Sequence, residues 1–344
     1  RLAQLAGHEL ALVCAPSGYG KTAWRARLFA EAHASGWHAA WLSVDADNDA
    51  ASLANQLAET IRFARRGAVD ADVAGSDIGA QVDSIAAQID ADGIPFLLVL
   101  DDADCLSASG VDLIDRLLRH PPAQLRLILA GRARVCVALG GIEGRGMMMR
   151  IGAKELAIAD EDVARFAGEG QAHLFPLLEG WPAGLRLSAR SEGIDALIDR
   201  LDTYLAPTIA DLSAGERIFL QRLAAAPHFN AELGRLLSGD ENADDMIGTL
   251  AAKGLFMAPV AQQPGWHRLH PAFRAILKRR LERDEPGAAE QLHRAAARYL
   301  ASLGMIADAS EQALAGHDVD RAATLIADVA MPMIERGDLR TLST

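Results

Sequence analysis

The chain has 344 residues, and at about 150 residues per domain that length implies two or three domains. Half of the residues are hydrophobic and 23% are charged, a balance that excludes an intrinsically disordered chain. Asp plus Glu number 46 against 34 Lys plus Arg, a net charge of −12, which excludes a surface that wraps nucleic acid or anionic lipid over its whole extent.

The first part of the sequence alternates short apolar runs with helix-period segments. Leu10–Cys14, Ala39–Val44, Phe96–Leu100, Leu125–Ala130 and Met147–Ile151 read as five strands. Thr22–Ala34 and Ala50–Ala64 carry apolar residues at helical spacing. Strands alternating with helices predict a parallel sheet covered on both faces. The Gly- and Asp-rich stretch from Gly67 to Gly79 reads as a surface loop. After Ile151 helices dominate. Leu156–Ala189 reads as helices interrupted by a turn over Glu179-Gly180-Trp181-Pro182-Ala183-Gly184. Ser213-Ala214-Gly215-Glu216 has capping-box spacing and opens the next helix. A helix over Asn242–Lys253, apolar Gly254–Val260, a Gln262-Gln263-Pro264-Gly265 turn, Trp266–Leu269 and a helix from Pro271 make a winged-helix pattern. From Glu285 the chain reads as all helical, broken at Gly304, Gly316 and Gly337, like the start of a helical-repeat array.

Cys14, Cys105 and Cys136 show neither CxxC nor Cys/His spacing, so reduced thiols are expected rather than a disulfide framework or zinc site. No apolar run approaches the roughly 18 residues of a membrane span. Arg1–Glu9 lack the features of a signal peptide, and no Met opens the sequence. The expectation is a soluble, cytoplasmic piece of a longer protein with no membrane partner.

The sharpest motif is Ala15-Pro16-Ser17-Gly18-Tyr19-Gly20-Lys21-Thr22, set between the first strand and the first helix. A polyphosphate needs many donors within a few ångströms, and a glycine-bearing strand-to-helix turn supplies backbone N–H groups at the positive end of a helix dipole. Lys21 is expected at the β- and γ-phosphates and Thr22 at Mg²⁺. A bare Gly-Lys-Ser/Thr arises by chance in roughly one chain in seven of this length, so a second element has to support it. Pro95-Phe96-Leu97-Leu98-Val99-Leu100-Asp101-Asp102 supplies it, a buried strand that runs into acid. Asp101 is expected in the Mg²⁺ shell, with Asp102 orienting an attacking water. Arg132, after the fourth strand, is a candidate sensor of the γ-phosphate or a solvated loop cation beside Arg134. Asp45, Asp47, Asn48 and Asp49, after the second strand, are candidates for water-mediated metal contacts or for capping the following helix.

Together these segments resemble the STAND-class ATPases, specifically the MalT-like large ATP-binding regulators of the LuxR family. The resembling strings are APSGYGKT at Ala15–Thr22, WLSVDADND at Trp41–Asp49, LLVLDDAD at Leu97–Asp104 and LRLILAGR at Leu125–Arg132. LLEGWPAGLRL at Leu177–Leu187, GLFMAPV at Gly254–Val260, HRLHPAFRAIL at His267–Leu277 and a tail from Leu292 follow. Ala15 replaces the first glycine of the standard loop, and Asp104 stands where the family often has His. The resemblance implies an α/β P-loop NTPase domain with a five-stranded parallel sheet over residues 1–155. It further implies a helical lid at 156–205, a winged-helix domain at 206–284, and a helical arm at 285–344 leading into a repeat-type sensor. It puts Pro182 against adenine, has Trp181 and Gly184 fix the turn, and sets His270 at the β-phosphate of ADP.

The expected function is an ATP/ADP-binding switch of a LuxR-type transcriptional regulator, resting with ADP and self-associating with ATP, with slow Mg²⁺-dependent hydrolysis through Lys21 and Asp102. An inducer is expected to act through a C-terminal sensor and DNA through a C-terminal helix-turn-helix, both beyond this sequence. Alternatives are a DNA-binding winged-helix ATPase, a P-loop kinase and a motor-type ATPase. The first rests on Arg268, Arg274, Lys278, Arg279, Arg280 and Arg283 set against Glu282. The kinase lacks an acceptor-binding set, and the motor requires a Glu where Asp102 stands.

Overall fold

The structure is a computed structural model that describes residues 2–45, 49–65, 78–132, 135, 137, 139–167 and 172–335. The chain divides into two compact units. The first contains residues 1–158 with Trp181–Ala183 and Ala252–Leu255, and the second contains the remainder.

In the first unit β1 (Leu10–Cys14), β2 (His38–Ser43), β3 (Phe96–Asp101), β4 (Leu125–Gly131) and β5 (Met148–Ile151) form one sheet in the order β2-β3-β4-β1-β5. All pairings are parallel, as the alternation of strands and helices predicts. Side chains two apart on a strand share a face. Leu10, Leu12, Leu98, Leu100, Leu127 and Leu129 therefore pack on one side, with Leu53, Leu57 and Ile61 of the helix Ala50–Ala64 and Ile85 and Ile89 of the helix Ile78–Asp90. Ala11, Val13, Leu97, Val99, Ile128 and Ala130 pack on the other, against Leu28 and Ala32 of the helix Lys21–Ala34. Both faces are thus dry, which is why the strands read as unbroken apolar runs.

The strand edges differ slightly from the sequence reading. β2 starts one residue early because the His38 N–H reaches the Pro95 oxygen at 3.0 Å, and β3 carries its ladder into Asp101, opposite Ser43. Of the loop expected from Gly67 to Gly79, residues 67–77 lie outside the described residues. Ile78 and Gly79 instead open a helix, whose apolar Val82, Ile85 and Ile89 are buried. Asp49 does cap its helix, accepting from Ser52 N at 2.8 Å. Asp47 and Asn48 lie outside the described residues, as do Arg134 and Cys136.

The second unit is mostly helical. Short helices Asp160–Ala167 and Phe175–Leu178 precede the long helix Ile194–Ala210. Pro182–Ser188 is also a helix, so the turn expected to run to Gly184 ends at Trp181. Proline is suited to the first helical position, where its missing N–H leaves no bond unmade.

Next come the helix Ala214–Leu223, β6 (His228–Phe229), helices Ala231–Ser238 and Ala243–Ala252, and the hairpin of β7 (Met257–Pro259) and β8 (His267–Leu269). The helix Pro271–Asp284 follows, and the small sheet has the order β6-β8-β7. That is a winged-helix arrangement. The predicted box is present: Glu216 N donates to Ser213 Oγ at 3.2 Å and Ser213 N to Glu216 Oε2 at 2.8 Å. The helix Ala231–Ser238 escaped the sequence reading although Asn230 caps it, accepting from Leu233 N at 2.9 Å.

Helices Ala288–Ser302, Ile306–Ala315 and Val319–Glu335 finish the described chain, with breaks at Gly304 and Gly316 as expected; Gly337 lies outside the described residues. No helix among the described residues is long and apolar enough to cross a membrane.

Candidate functional site

The segment after β1 turns sharply into the helix Lys21–Ala34. Gly18 and Gly20 both adopt φ of 79°, a left-handed conformation that glycine enters without strain. Gly20 caps the helix without a side-chain acceptor, and no acid lies in the first turn. The positive end of the helix dipole is therefore not neutralised by its own first turn. Lys21 Nζ donates to the main-chain oxygens of Ala15 and Pro16, the latter at 3.0 Å, so the ammonium is drawn back into the loop it follows. Burial, and next the Arg25 charge, lower the Lys21 pKa to about 8.

The loop is gripped from outside. Trp181, fully buried, donates its indole N–H to the Ser17 oxygen at 3.0 Å, and Ala183 N donates to the Gly18 oxygen at 3.1 Å. A trans peptide points its C=O and N–H in opposite directions. The N–H groups of Gly18 and Tyr19 therefore face away from the Trp181–Ala183 segment. Pro182, between the two donors, is brought to the loop by the same contacts. Ala15 and Tyr19 of the loop are buried.

Thr22 and Asp101, the two expected metal ligands, are brought together by a residue the sequence reading missed. Arg25 donates Nη1 to Asp101 Oδ1 and Nη2 to Thr22 Oγ1, the second at 3.0 Å. Its position follows from the helix: residues three and four apart share a face, so Lys21, Thr22 and Arg25 line up. That spacing is the signal that would have found it. Thr22 hydroxyl and Asp101 carboxylate are hard oxygen donors, which fit Mg²⁺. No cluster of three or more His, Cys, Asp or Glu suited to a metal occurs among the described residues. Such a donor set suits an ion carried largely by phosphate oxygens and water.

Asp102 follows Asp101 with φ of 52°, a left-handed conformation that Asp tolerates better than most residues. Its N–H donates to Asp101 Oδ1 at 2.8 Å. Burial raises its pKa, and the charges of Asp101 and Asp104 raise it further. Asp104 lies against Gly131 at the end of β4, and its Oδ1 accepts from Arg132 N at 3.3 Å. The Arg132 charge lowers the pKa values of both Lys21 and Asp102 and is thus part of the same electrostatic cluster. Lys21, Thr22, Asp101, Asp102, Arg132 and Pro182 all belong to the first unit.

His270 belongs to the second unit. It caps the helix Pro271–Asp284, accepting from Ala272 N at Nδ1 (3.3 Å), which leaves Nε2–H to donate to the Leu178 oxygen at 3.2 Å. Burial pushes its pKa down to about 4, so the ring is neutral near pH 7. Next to it, Arg268 makes a two-pronged pair with Glu179 at 2.8 and 3.0 Å. The other arginines of this region are engaged too. Arg279 pairs with Asp195 and Asp199, Arg280 with Asp202 and Arg283 with Asp284. Arg274 binds the oxygens of Ala224 and Ala225. The cationic helix that suggested DNA binding is therefore largely neutralised by its own protein.

Residues 207–289 match the family model described as MalT winged helix domain. The chain is 26% identical over 365 residues to the HTH-type transcriptional regulator MalT of Vibrio cholerae, covering 97% of this chain and 40% of that protein. It is 27% identical over 376 residues to the same-named regulator of Yersinia enterocolitica, covering 99% and 41%. The chain thus spans about 40% of the length of the curated relatives it matches. Among solved structures it is similar to a STAND protein with a tetratricopeptide repeat sensor from Pyrococcus horikoshii, at a TM-score of 0.40 and 16% identity, covering 97% of this chain and 51% of that one. The ADP form of the ORC2 protein of Aeropyrum pernix gives 0.45 and 15%, covering 83% and 90%. On the matched domain, and on sequence similarity along nearly its whole length, the chain is MalT-like.

Proposed function

We propose that this chain is the nucleotide-dependent switch module of a MalT-like transcriptional regulator of the LuxR type, cytoplasmic, with ADP in its resting state and ATP in an active, self-associating state. Its working parts are taken as a P-loop domain at 1–155, a lid at 156–205, a winged helix at 206–284 and an arm at 285–344. The observation that carries the reading is the phosphate loop itself. Ser17 and Gly18 give their carbonyls to Trp181 and Ala183, so the N–H groups of Gly18 and Tyr19 turn away from that segment, in a loop whose Ala15 and Pro16 oxygens hold the Lys21 ammonium. Donors aimed one way with an ammonium beside them suit a polyphosphate.

In this reading residues Ala15 to Thr22 bind the phosphates and Pro182 packs against adenine. Thr22 and Asp101 would hold Mg²⁺, which when bound neutralises developing charge on the phosphates. Asp102 orients water for slow hydrolysis, and Arg132 distinguishes a γ-phosphate by its charge. His270 at the β-phosphate comes from the family resemblance; to serve there, its Nε2–H must leave the Leu178 oxygen. An inducer acting on a sensor, and DNA bound by a helix-turn-helix, belong to the longer protein of which such modules form part.

A ligand shifts a two-state protein only by binding the states unequally. ADP and ATP are therefore expected to give different oligomer sizes in gel filtration. Calorimetry tests the site: Lys21→Ala should weaken ADP by at least about tenfold, and undiminished binding would put the nucleotide elsewhere. Nucleotide extracted from the purified protein discriminates further. Trapped ADP supports a switch, whereas an empty site with rapid turnover on a small acceptor would favour the kinase.

A further inference from the structure

Arg25 is 1% exposed, and its guanidinium carbon lies 5.3 Å from the centroid of the Trp41 ring. Its Nε is buried with no hydrogen-bond partner among the described residues. Its two terminal nitrogens hold Asp101 Oδ1 and Thr22 Oγ1, one each. Those are the oxygens that the nucleotide reading gives to a divalent ion. Arginine does not escape by losing its proton, because a guanidinium is not deprotonated in proteins. A guanidinium and a divalent ion repel each other and draw on the same hydroxyl and the same carboxylate, so each weakens the hold of the other.

We propose that Arg25 is a built-in cation at the metal position. It keeps Thr22 and Asp101 in register without a metal, makes diphosphate binding nearly independent of Mg²⁺, and has to be displaced before the ion reaches those oxygens. Metal-free ADP is then a full-strength ligand of this chain, and access of the metal becomes a separate, slower event than nucleotide entry. The inference rests on the nucleotide reading above and goes one step beyond it, to which ionic form of the nucleotide the site accepts.

The test is calorimetric titration of the whole chain with ADP, once in EDTA and once in excess Mg²⁺. The two affinities are expected to agree within about threefold, well below the 5- to 150-fold range of ordinary coupling between ligands. Strengthening by more than about tenfold would overturn the inference while leaving the nucleotide reading intact. Absence of ADP binding under both conditions would overturn both. Arg25→Met keeps the length and the apolar contact with Trp41 while deleting the charge. In that variant, with unchanged circular dichroism, Mg²⁺ should strengthen ADP by at least about tenfold. A folded Arg25→Met protein that stays indifferent to Mg²⁺ contradicts the proposal. Should the variant not fold, the wild-type comparison decides alone.

Discussion

The indole of Trp181 donates to the main-chain oxygen of Ser17 at 3.0 Å, so a fully buried side chain 164 residues away holds the phosphate loop by its backbone. Trp181→Phe keeps most of the packing but removes the donor. We expect a stability loss of about 1–3 kcal/mol by urea unfolding, the cost of a buried hydrogen bond broken from one side. Trp181→Ala should cost more, about 3–5 kcal/mol, because it also opens a cavity.

Lys21 has its pKa lowered to about 8 by burial and by Arg25. A bound phosphate favours the ammonium and raises that pKa again, so ADP binding takes up protons around pH 8 and above. Affinity should therefore fall as pH rises through about 8. Calorimetry in buffers of different ionisation enthalpy measures the proton uptake, and a pH-independent affinity would refute a direct Lys21 contact.

His270 works in the opposite range. Its pKa is about 4 folded against 6.5 for an ordinary imidazole, so the unfolded chain binds more protons in between. The stability it contributes is present above pH 6.5 and is lost as pH falls toward 4. At pH 5 that loss is about 2 kcal/mol relative to pH 7.5. Urea unfolding at the two pH values should show the difference, and His270→Asn, which preserves a capping acceptor, should flatten it. If His270→Ala leaves ADP affinity untouched, the role borrowed from the resemblance fails.

Gly131 ends β4 beneath Asp104, and a Cβ there would run into the Asp104 carboxylate. Gly131→Ala should destabilise by about 1–3 kcal/mol, as overpacking does. Adding Asp104→Ala should recover much of that loss. A double-mutant cycle checks this, and additive effects would mean that the two residues do not compete for space.

The fold was legible where burial on both faces imposes a pattern. β1 follows the sequence reading residue for residue, and β3 and β4 start where expected, because their side chains have no solvent side to relieve the apolar run. The capping box at Ser213 and Glu216 was legible because it is local chemistry. The helix Ala231–Ser238 was not: it is only eight residues long and has Gly234 inside, where Ala243 and Ile247 press close. That helix is set by packing rather than by its own propensity. Of the site, Lys21, Thr22 and Asp101 announced themselves by spacing. Arg25 did not: its spacing puts it on the face of Lys21 and Thr22, but an arginine on a helix ordinarily reaches into water, which hid that signal. Nor was the pairing of Arg268, Arg279 and Arg280 legible, whose clustering suggested an anion-binding face until their carboxylate partners appeared.

The sheet order has a metric consequence. β1, which leads into the phosphate loop, and β3, which ends at Asp101, flank β4. Two inter-strand steps set their axes roughly 10 Å apart. Arg25 nonetheless holds Thr22 Oγ1 and Asp101 Oδ1 with the two nitrogens of one guanidinium, so the loop and helix after β1 carry Thr22 across that gap. The width between the two strands is closed by the chain's own loop, and whatever occupies those two oxygens has only a guanidinium's breadth to span.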